Sequence, residues 1–143
     1  MYTATKEFAF EAAHMLNKHP GKCANLHGHN YKVFLTMASD NLDDMDMVKD
    51  FYNIKKFADP LFDKLDHSFM YNLETDDPFE IEIFNVVKKY NKKYFTFNHR
   101  ATAENMSQFF YEYFNEKLAD EESPVKIIKV TVYETPTSYA TFE

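Results

Sequence analysis

The residues best suited to chemistry lie in one short stretch, from Cys23 to Val33, which reads CANLHGHNYKV. It contains the only cysteine of the chain and two of its six histidines. In an extended segment alternate side chains point to the same face, so His27 and His29 would present two imidazoles in one direction. Gly28 between them has no side chain, which lets backbone or substrate approach the other face. The pair can bind a metal ion, or it can be two surface histidines before an ordinary strand.

A third histidine ends the apolar stretch KEFAFEAAH upstream. If this segment is extended, His14 shares a face with the alternate apolar residues that begin at Phe8. An antiparallel pairing with the next strand would bring His14 beside His27 and His29. Three neutral imidazoles with one open position are typical of a catalytic zinc site, whereas a structural site usually has four protein ligands, often cysteines. The sequence therefore predicts a catalytic zinc site formed by His14, His27 and His29.

Composition and charge limit the class of protein. A chain of 143 residues that is 45% hydrophobic, with 15 phenylalanines and 10 tyrosines, can build one core, so we expect one domain over residues 1–143. A single cysteine excludes an internal disulfide and favours a reducing, cytoplasmic location. No apolar run approaches membrane-spanning length and the N-terminus lacks a signal-peptide layout, so no membrane partner is expected. The net charge of −7 argues against a nucleic-acid-binding surface.

Four strands are predicted from alternating apolar residues and from the turn residues between them. They span residues 2–14, 26–38, 125–135 and 139–142. On the third of these strands, Ile128, Val130 and Val132 share a face with Glu134. A carboxylate that ends an apolar face is costly unless it has partners, which marks Glu134 as a residue with a specific role.

Two helices are predicted between the second and third strands. The first follows Asp50, a suitable N-cap, and contains Pro60, which should bend or interrupt it. The second begins after Thr102, with Glu104 in its first turn, where the helix dipole favours an anion. The main order is β-β-α-α-β-β, an α+β domain whose antiparallel sheet has both helices on one face.

Residues 74–101 are the least readable part of the chain. A short helix over residues 80–90 and a short aromatic strand over residues 93–98 are the candidates there. Four lysines in this part are more typical of a solvated face than of a phosphate site.

Several motifs resemble those of a known family. Four motifs occur in the order found in the 6-pyruvoyl tetrahydropterin synthase family: the run FEAAH, a cysteine separated by three residues from HGHNYKV, then Leu65-Asp66-His67 and Tyr133-Glu134-Thr135. More narrowly, the chain resembles the 6-carboxytetrahydropterin synthase branch, which acts in the route to queuosine and other deazapurines. The resemblance covers nearly the whole chain, and FEAAH together with HGHNY is its specific part.

This resemblance implies a fold, an assembly and a reaction. The fold is the tunnelling fold, whose sheet closes into a barrel only with neighbouring subunits, typically as a homo-oligomer of two stacked trimers. The substrate is 7,8-dihydroneopterin triphosphate, a small molecule. The reaction is a zinc-dependent elimination of triphosphate, which in the carboxy branch adds carbon–carbon cleavage, releases acetaldehyde and leaves 6-carboxy-5,6,7,8-tetrahydropterin.

Three alternatives stay open. Within the family, a 6-pyruvoyl tetrahydropterin synthase would keep the three-carbon side chain. From another class, the chain could be a non-catalytic zinc- or pterin-binding module, although binding alone does not need the cysteine, the Asp-His pair and the glutamate together. A hydrolase that uses zinc hydroxide is the third, but no carboxylate lies near the HGH motif in the sequence to act as its base.

The resemblance also assigns roles to single residues. Cys23 would be a base, because a thiolate near zinc and histidine is stabilised at neutral pH; its alternative role is that of a small buried residue. Asp66 and His67 would form a second proton relay, in which the carboxylate orients the imidazole. Glu134 would accept the adjacent N–H donors of the pterin ring, and the family also assigns it to the proton relay.

Two further sets of residues are weaker candidates. The segment TAEN resembles a family segment near the pterin pocket, which makes Thr102 and Glu104 candidates for substrate binding. The triphosphate site has no clear sequence pattern, and its candidate cations are Lys22, Lys32, His99 and Arg100.

The interval before the HGH motif favours the carboxy product. Three residues separate Cys23 from His27, as in the carboxy branch, whereas the pyruvoyl branch has five. A base must lie within hydrogen-bond reach of the proton that it removes. We therefore expect the interval to influence which bond of the substrate breaks.

Overall fold

The computed structural model describes residues Met1–Glu143 and contains six strands, three α-helices and one 3-10 turn, Lys22–Ala24. In chain order the elements are β1 (Tyr2–His14), β2 (His27–Ser39), α1 (Phe51–Leu65), β3 (Ser68–Asn72), α2 (Pro78–Lys89), β4 (Tyr94–Phe97), α3 (Ala103–Asp120), β5 (Lys126–Thr135) and β6 (Ser138–Phe142).

All six strands form one sheet in the order β4-β3-β1-β2-β5-β6. β1 and β2 pair antiparallel along their whole length, from Tyr2 opposite Ser39 to His14 opposite His27. β5 and β6 continue the sheet antiparallel on the far side of β2. On the other side of β1, β3 pairs in parallel only at Ala12 and Ala13, and β4 then pairs in parallel with β3. Most of the outer edge of β1 therefore has no neighbouring strand.

The predicted α+β class and tunnelling fold are confirmed, but the element order is longer than predicted. It is β-β-α-β-α-β-α-β-β, because β3, α2 and β4 join the main elements. The candidate helix and strand of residues 74–101 are α2 and β4. β3 is absent from the prediction because all five of its residues are buried, and a strand buried on both faces has no alternation of polar and apolar residues.

α1 and α3 cover one face of the sheet, as predicted, and α2 covers part of the other. The main core of 25 buried residues joins the alternate residues of β1, β2 and β5 to the apolar sides of α1 and α3. Phe8 stacks on Phe62 of α1 with ring centroids 4.8 Å apart. On β3, Met70 belongs to this core, whereas Phe69 and Tyr71 pack with Phe84 of α2 in a second cluster. Successive strand residues face opposite ways, so α2 lies on the opposite face.

Both predicted helix starts are confirmed. The Asp50 side chain accepts the N–H groups of Tyr52 and Asn53, and α1 then continues through Pro60 without interruption. Pro60 removes one backbone hydrogen bond, but α1 buries Ile54, Phe57, Ala58, Leu61, Phe62 and Leu65. This apolar burial on both sides of the proline stabilises one continuous helix. None of the three helices has the length and apolar character needed to cross a membrane.

A β-bulge changes which alternate residues of β5 face the core. The pairing with β2 shifts between Thr36 and Met37, so Lys129 lies opposite Thr36 but Ile127 lies opposite Met37. Ile127 is consequently in the core, where strict alternation predicts Ile128. Beyond the bulge the alternation is as predicted, and it carries Glu134 to the end of the core face.

Candidate metal centre and adjoining cavity

Three histidines meet at one end of the β1–β2 pair. The register places His14 directly opposite His27, and His29 lies two residues further along the same face of β2. The Nε2 atoms of His14 and His27 are 3.1 Å apart. The ring centroid of His29 lies 5.2 Å from that of His14 and 4.9 Å from that of His27. The predicted cluster therefore forms.

Backbone carbonyls orient two of the three imidazoles. His14 Nδ1 lies 2.8 Å from the carbonyl oxygen of Ala101, and His27 Nδ1 lies 2.7 Å from that of Asn25. A carbonyl oxygen only accepts hydrogen bonds, so each Nδ1 must carry the proton. Each Nε2 then keeps its lone pair for a metal ion, which is the arrangement that protein ligands of metals usually show.

Glu134 completes a four-residue cluster. Its Oε1 atom lies 2.8 Å from His29 Nε2 and 3.4 Å from His14 Nε2. One ligand atom from each of His14, His27, His29 and Glu134 lies within 4.8 Å of the other three. The sequence predicts the importance of Glu134 but not its presence among the histidines.

The donor set fits a divalent metal ion. His29 Nε2 is buried and has no well-aligned hydrogen-bond partner, although Oε1 of Glu134 is only 2.8 Å away. A buried nitrogen without a partner is unfavourable in a protein interior, and a metal ion would satisfy it. Three imidazole nitrogens and a carboxylate oxygen are ligands that zinc accepts.

Both His29 and Glu134 of this cluster have a lowered pKa. Burial lowers the pKa of His29, and the nearby His14 and His27 lower it further, while Glu134 opposes them. The pKa of Glu134 is also lowered, first by the adjacent His14 and against the effect of burial. Burial raises the pKa of Tyr31, so its phenol beside His14 stays neutral. The site therefore favours a neutral His29 beside a charged carboxylate.

A cavity of about 570 Å³ adjoins the cluster on the sheet face that α1 and α3 leave open. His29 and Glu134 form part of its lining. Phe34 and Tyr133 also line it, with their rings edge to face at 5.5 Å. The volume lies within the range of small-molecule sites, about 300–1,000 Å³. Alternation puts Phe34 and Tyr133 on the open face and the cluster side chains on the core face, so the cavity meets the cluster only through His29 and Glu134.

Asp66 and His67 lie beside Glu11 at the outer edge of β1. Asp66 Oδ1 accepts the Glu11 N–H at 2.9 Å, Asp66 Oδ2 lies 2.9 Å from His67 Nδ1, and the His67 N–H donates to the Glu11 carbonyl at 2.6 Å. The hydrogen bond from Glu11 is the main cause of the lowered pKa of Asp66. A second groove, of about 400 Å³, is lined by both His67 and His29 and passes Gly28. The predicted Asp-His pair is thus formed, with its imidazole 71% exposed.

Gly28 allows the two strands to approach at the cluster. A Cβ atom at this position would lie 3.2 Å from the carbonyl oxygen of Ala12. Ala12 precedes His14 by two residues, so this contact lies beside a candidate ligand. The expected close approach of backbone at Gly28 is therefore observed.

Known proteins are similar to this chain in sequence or in fold. The family model described as 6-pyruvoyl tetrahydropterin synthase matches residues 3–143. The chain belongs to the 6-pyruvoyl tetrahydropterin synthase family. It is 35% identical to the 6-carboxy-5,6,7,8-tetrahydropterin synthase of Aquifex aeolicus, over 97% of this chain and 96% of that protein. It is therefore an enzyme of this family.

Solved structures show the same fold. An uncharacterized protein from Wolinella succinogenes superposes with a TM-score of 0.80 at 22% identity, covering 99% of this chain and 97% of the other. The 6-pyruvoyltetrahydropterin synthase of Plasmodium vivax gives a TM-score of 0.71 at 20% identity, covering 99% and 98%. At these identities the likeness concerns the fold alone.

Cys23 is not part of the four-residue cluster. It is half-buried in the 3-10 turn between β1 and β2, and its carbonyl accepts the Leu16 N–H at 2.9 Å. Its sulfur is not one of the four grouped donor atoms. The role of Cys23 as a base stays a prediction.

Thr102 and Glu104 do not line the cavity. The Thr102 hydroxyl accepts the Asn105 N–H at 3.1 Å as the N-cap of α3, and Glu104 is exposed in the first turn. The position of each residue at the start of α3 accounts for its type without a ligand. Substrate binding by either residue stays a prediction. The neighbouring Ala101, whose carbonyl orients His14, carries no sequence signal, because every residue has a carbonyl group.

Proposed function

We propose that this protein is a zinc-dependent lyase that converts 7,8-dihydroneopterin triphosphate and water to 6-carboxy-5,6,7,8-tetrahydropterin, acetaldehyde and triphosphate. The observation that carries the proposal is the cluster of His14, His27, His29 and Glu134 beside a cavity of about 570 Å³. The name of the Aquifex aeolicus relative and the three-residue interval between Cys23 and His27 support the carboxy product.

His14, His27 and His29 would hold the zinc ion. Bound zinc supplies Lewis acidity, which lowers the pKa of hydroxyl groups and polarises carbonyl groups that contact it. The chain's own part is to aim the three imidazole Nε2 atoms at one point. The carbonyls of Ala101 and Asn25 do this for two of them by fixing the proton on Nδ1.

Glu134 and the aromatic pair suit the pterin ring. An ionised carboxylate accepts two parallel N–H donors, such as those of a 2-amino-4-oxo pyrimidine edge, and the lowered pKa of Glu134 keeps it ionised. Phe34 and Tyr133 offer aromatic faces and edges to a flat ring in the same cavity. Of the four candidate cations for the triphosphate, only Lys32 lines this cavity, where it lies 3.5 Å from Glu7.

Two groups are placed to move protons. The Cys23 thiolate would remove a proton from the substrate side chain, since its turn precedes the HGH motif by only a few residues. His67 would accept or donate a proton at Nε2, because Asp66 holds its Nδ1. The groove that His67 shares with His29 offers a route between this pair and the cluster.

We also propose a cytoplasmic homo-oligomer, a hexamer of two trimers as is typical of the family. The sheet has open edges at β6, at β4 and along the part of β1 before Ala12. The N–H and C=O groups of Glu11 point outward to Asp66 and His67, so the alternate residues before Glu11 turn theirs outward as well. Open edges of this kind are completed by strands of another subunit.

Product analysis tests the reaction. Purified protein incubated with dihydroneopterin triphosphate should release acetaldehyde and triphosphate in equal amounts, and the pterin product should have the mass of the 6-carboxy compound. Removal of zinc by a chelator should abolish both products, and added zinc should restore them. Triphosphate without acetaldehyde, together with a pyruvoyl pterin, would instead assign the 6-pyruvoyl activity, and absence of both would reject a catalytic role.

Matched histidine variants test the metal centre. His27→Ala with His29→Ala should lose about one zinc per chain and all turnover, while the melting temperature of the zinc-free protein stays close to that of the zinc-free wild type. The control is His19→Asn, because His19 is exposed and its Nδ1 accepts the Gly21 N–H at 2.9 Å, a bond that an asparagine oxygen can replace. A double variant with full zinc content would show that the site is wrong.

A further inference from the structure

The loop that carries Cys23 has almost no apolar anchor. Residues 18–26 contain no buried residue, and the 3-10 turn that includes Cys23 buries none of its side chains. Within the loop, the bond from the Leu16 N–H to the Cys23 carbonyl ties the turn to the end of β1. The position of the thiol therefore depends on hydrogen bonds near Leu16 and not on core packing.

Asn17, directly after Leu16, is the last buried residue before this loop. Its backbone carbonyl and its side-chain oxygen both accept from Arg100 Nε, at 3.2 and 2.9 Å. Its side-chain amide donates to Asp76 at 3.3 Å. A buried amide with partners from two distant segments restrains the loop far more than an exposed polar residue could.

The partners of Asn17 are themselves held in place. The carbonyl of Arg100 accepts from the Asn105 side chain at 3.1 Å, which ties it to α3. Asp76 lies in the loop before α2, where the buried Glu80 accepts from the Thr75 hydroxyl at 3.2 Å. The restraint on Asn17 therefore comes from folded parts of the molecule.

Arg100 is also the neighbour of the residue that orients a candidate zinc ligand. The carbonyl of Ala101, the next residue, accepts from His14 Nδ1. One dipeptide thus contacts the Cys23 loop through a side chain and His14 through a carbonyl. Displacement of this dipeptide would move the thiol and the ligand relative to each other.

We propose that Arg100 is a positioning residue that holds the Cys23 loop through its hydrogen bonds to Asn17 and so fixes the thiol relative to the histidine cluster. This role rests on the proposed function for its catalytic consequence but not for its structural one. The active group is the Nε–H donor. Both acceptors are neutral oxygens, so we assign the hold on Asn17 to this donor and not to the charge of Arg100.

Two substitutions of Arg100 distinguish the effect of its Nε–H donor from the effect of its charge. Glutamine places its amide nitrogen the same number of bonds from the backbone as arginine Nε, so Arg100→Gln keeps a donor there and removes the charge. Arg100→Met has similar length and no donor. Lys18→Ala is the control, since Lys18 also contacts the Asp76 carboxylate, at 3.2 Å, but both side chains are 68% exposed and such pairs contribute little.

The single cysteine of the chain gives a readout that does not depend on turnover. Alkylation by iodoacetamide reports Cys23 alone, and at about pH 9.5, above the usual thiol pKa of roughly 8.5, it measures access to the sulfur. Arg100→Met should raise this rate at least about threefold, while Arg100→Gln and Lys18→Ala should stay within about twofold of wild type. All three variants should keep the zinc content of wild type.

The changes in kcat should parallel the changes in the alkylation rate of Cys23. In Arg100→Met we expect kcat to fall about tenfold with KM nearly unchanged, and in Arg100→Gln we expect most of the rate to return; tenfold in rate corresponds to about 1.4 kcal/mol. Equal impairment of the Gln and Met variants would overturn the proposal, as would a Met variant whose alkylation rate is that of wild type, whatever its kcat.

A second variant covers the case in which Arg100→Met does not fold. Asn17→Ala removes the side-chain bond to Arg100 and the bond to Asp76, keeps the backbone carbonyl, and should also raise the alkylation rate. Where both single variants fold, the double variant should show less than the combined increase of the two, because they share the loss of the bond between Arg100 Nε and Asn17 Oδ1. Additive increases would contradict the proposal. If wild type lacks the proposed lyase activity but the thiol rates change as stated, the proposed function fails and the positioning role stands.

Discussion

Gly28 offers the sharpest test of how the strand pair sets the metal centre. Gly28→Ala would place a methyl group 3.2 Å from the carbonyl oxygen of Ala12 and 3.8 Å from its carbonyl carbon. The obstacle is backbone of β1, which β2 holds in register from Tyr2 to His14. Unlike a side chain, this backbone cannot rotate away, so β1 must shift by a few tenths of an ångström.

Two opposing terms decide the effect on stability. Overpacking of a well-packed site costs about 1–3 kcal/mol, whereas replacement of glycine inside a strand stabilises by roughly 0.5–1 kcal/mol. We expect a net loss of about 1 kcal/mol. The effect on zinc should be larger, since a metal site tolerates only about 0.2 Å in its ligand distances and His14 follows Ala12 by two residues.

The only other glycine of the chain supplies the control. A Cβ atom at Gly21 would lie 3.2 Å from Cε1 of His19, the end of an exposed side chain that can rotate. Gly28→Ala should weaken zinc binding about tenfold, a typical effect of disturbing the surroundings of a metal ligand. Gly21→Ala should leave it within about twofold.

Competition with a fluorescent zinc chelator measures the affinities, and urea unfolding of the zinc-free variants measures the stabilities. Wild-type zinc affinity in Gly28→Ala would refute the reasoning, because it would show that the strands can separate at Gly28 without moving His14. Equal losses in both glycine variants would refute it too, since only one of the two new methyl groups meets backbone.

Two further predictions concern single side chains of the site. Cys23→Ala should keep zinc and the affinity for a pterin analogue but lower kcat at least about a hundredfold, as removal of a general base does; loss of zinc in this variant would recast Cys23 as a ligand. Glu134→Gln should weaken binding of a pterin analogue about tenfold or more in calorimetric titrations, because an amide donor would face the ring's own donors and an unpaired donor costs roughly 1–3 kcal/mol. Its control is Glu7→Gln, an exposed carboxylate of the same cavity, and equal affinities in both variants would argue against Glu134 as the pterin anchor.

The parts of this protein that the sequence determines by itself are those with a local period. Alternation along two strands predicts that His27 and His29 share one face and that His14 shares a face with the apolar residues from Phe8, and the three histidines converge once these strands pair antiparallel. The helix caps Asp50 and Thr102 are equally local, because each bonds N–H groups two or three residues away. Side-chain direction within one element depends on few residues, so it can be read from them.

The tertiary structure alone decides the features that join distant segments. β3 is buried on both faces and has no period, and the bulge that brings Ile127 into the core depends on the pairing of β5 with β2. Glu134 joins the histidines only because that pairing carries the end of β5 to the end of β2 that holds His29.

The contacts that orient the site are likewise non-local. The carbonyl of Ala101 orients His14 across 87 residues of chain, and Arg100 reaches Asn17 across 83. A carbonyl oxygen is common to every residue, and an arginine near the surface has many possible partners. Nothing in the residue types therefore distinguishes these contacts until the chain has folded and the packing of α3 against the sheet has brought the segments together.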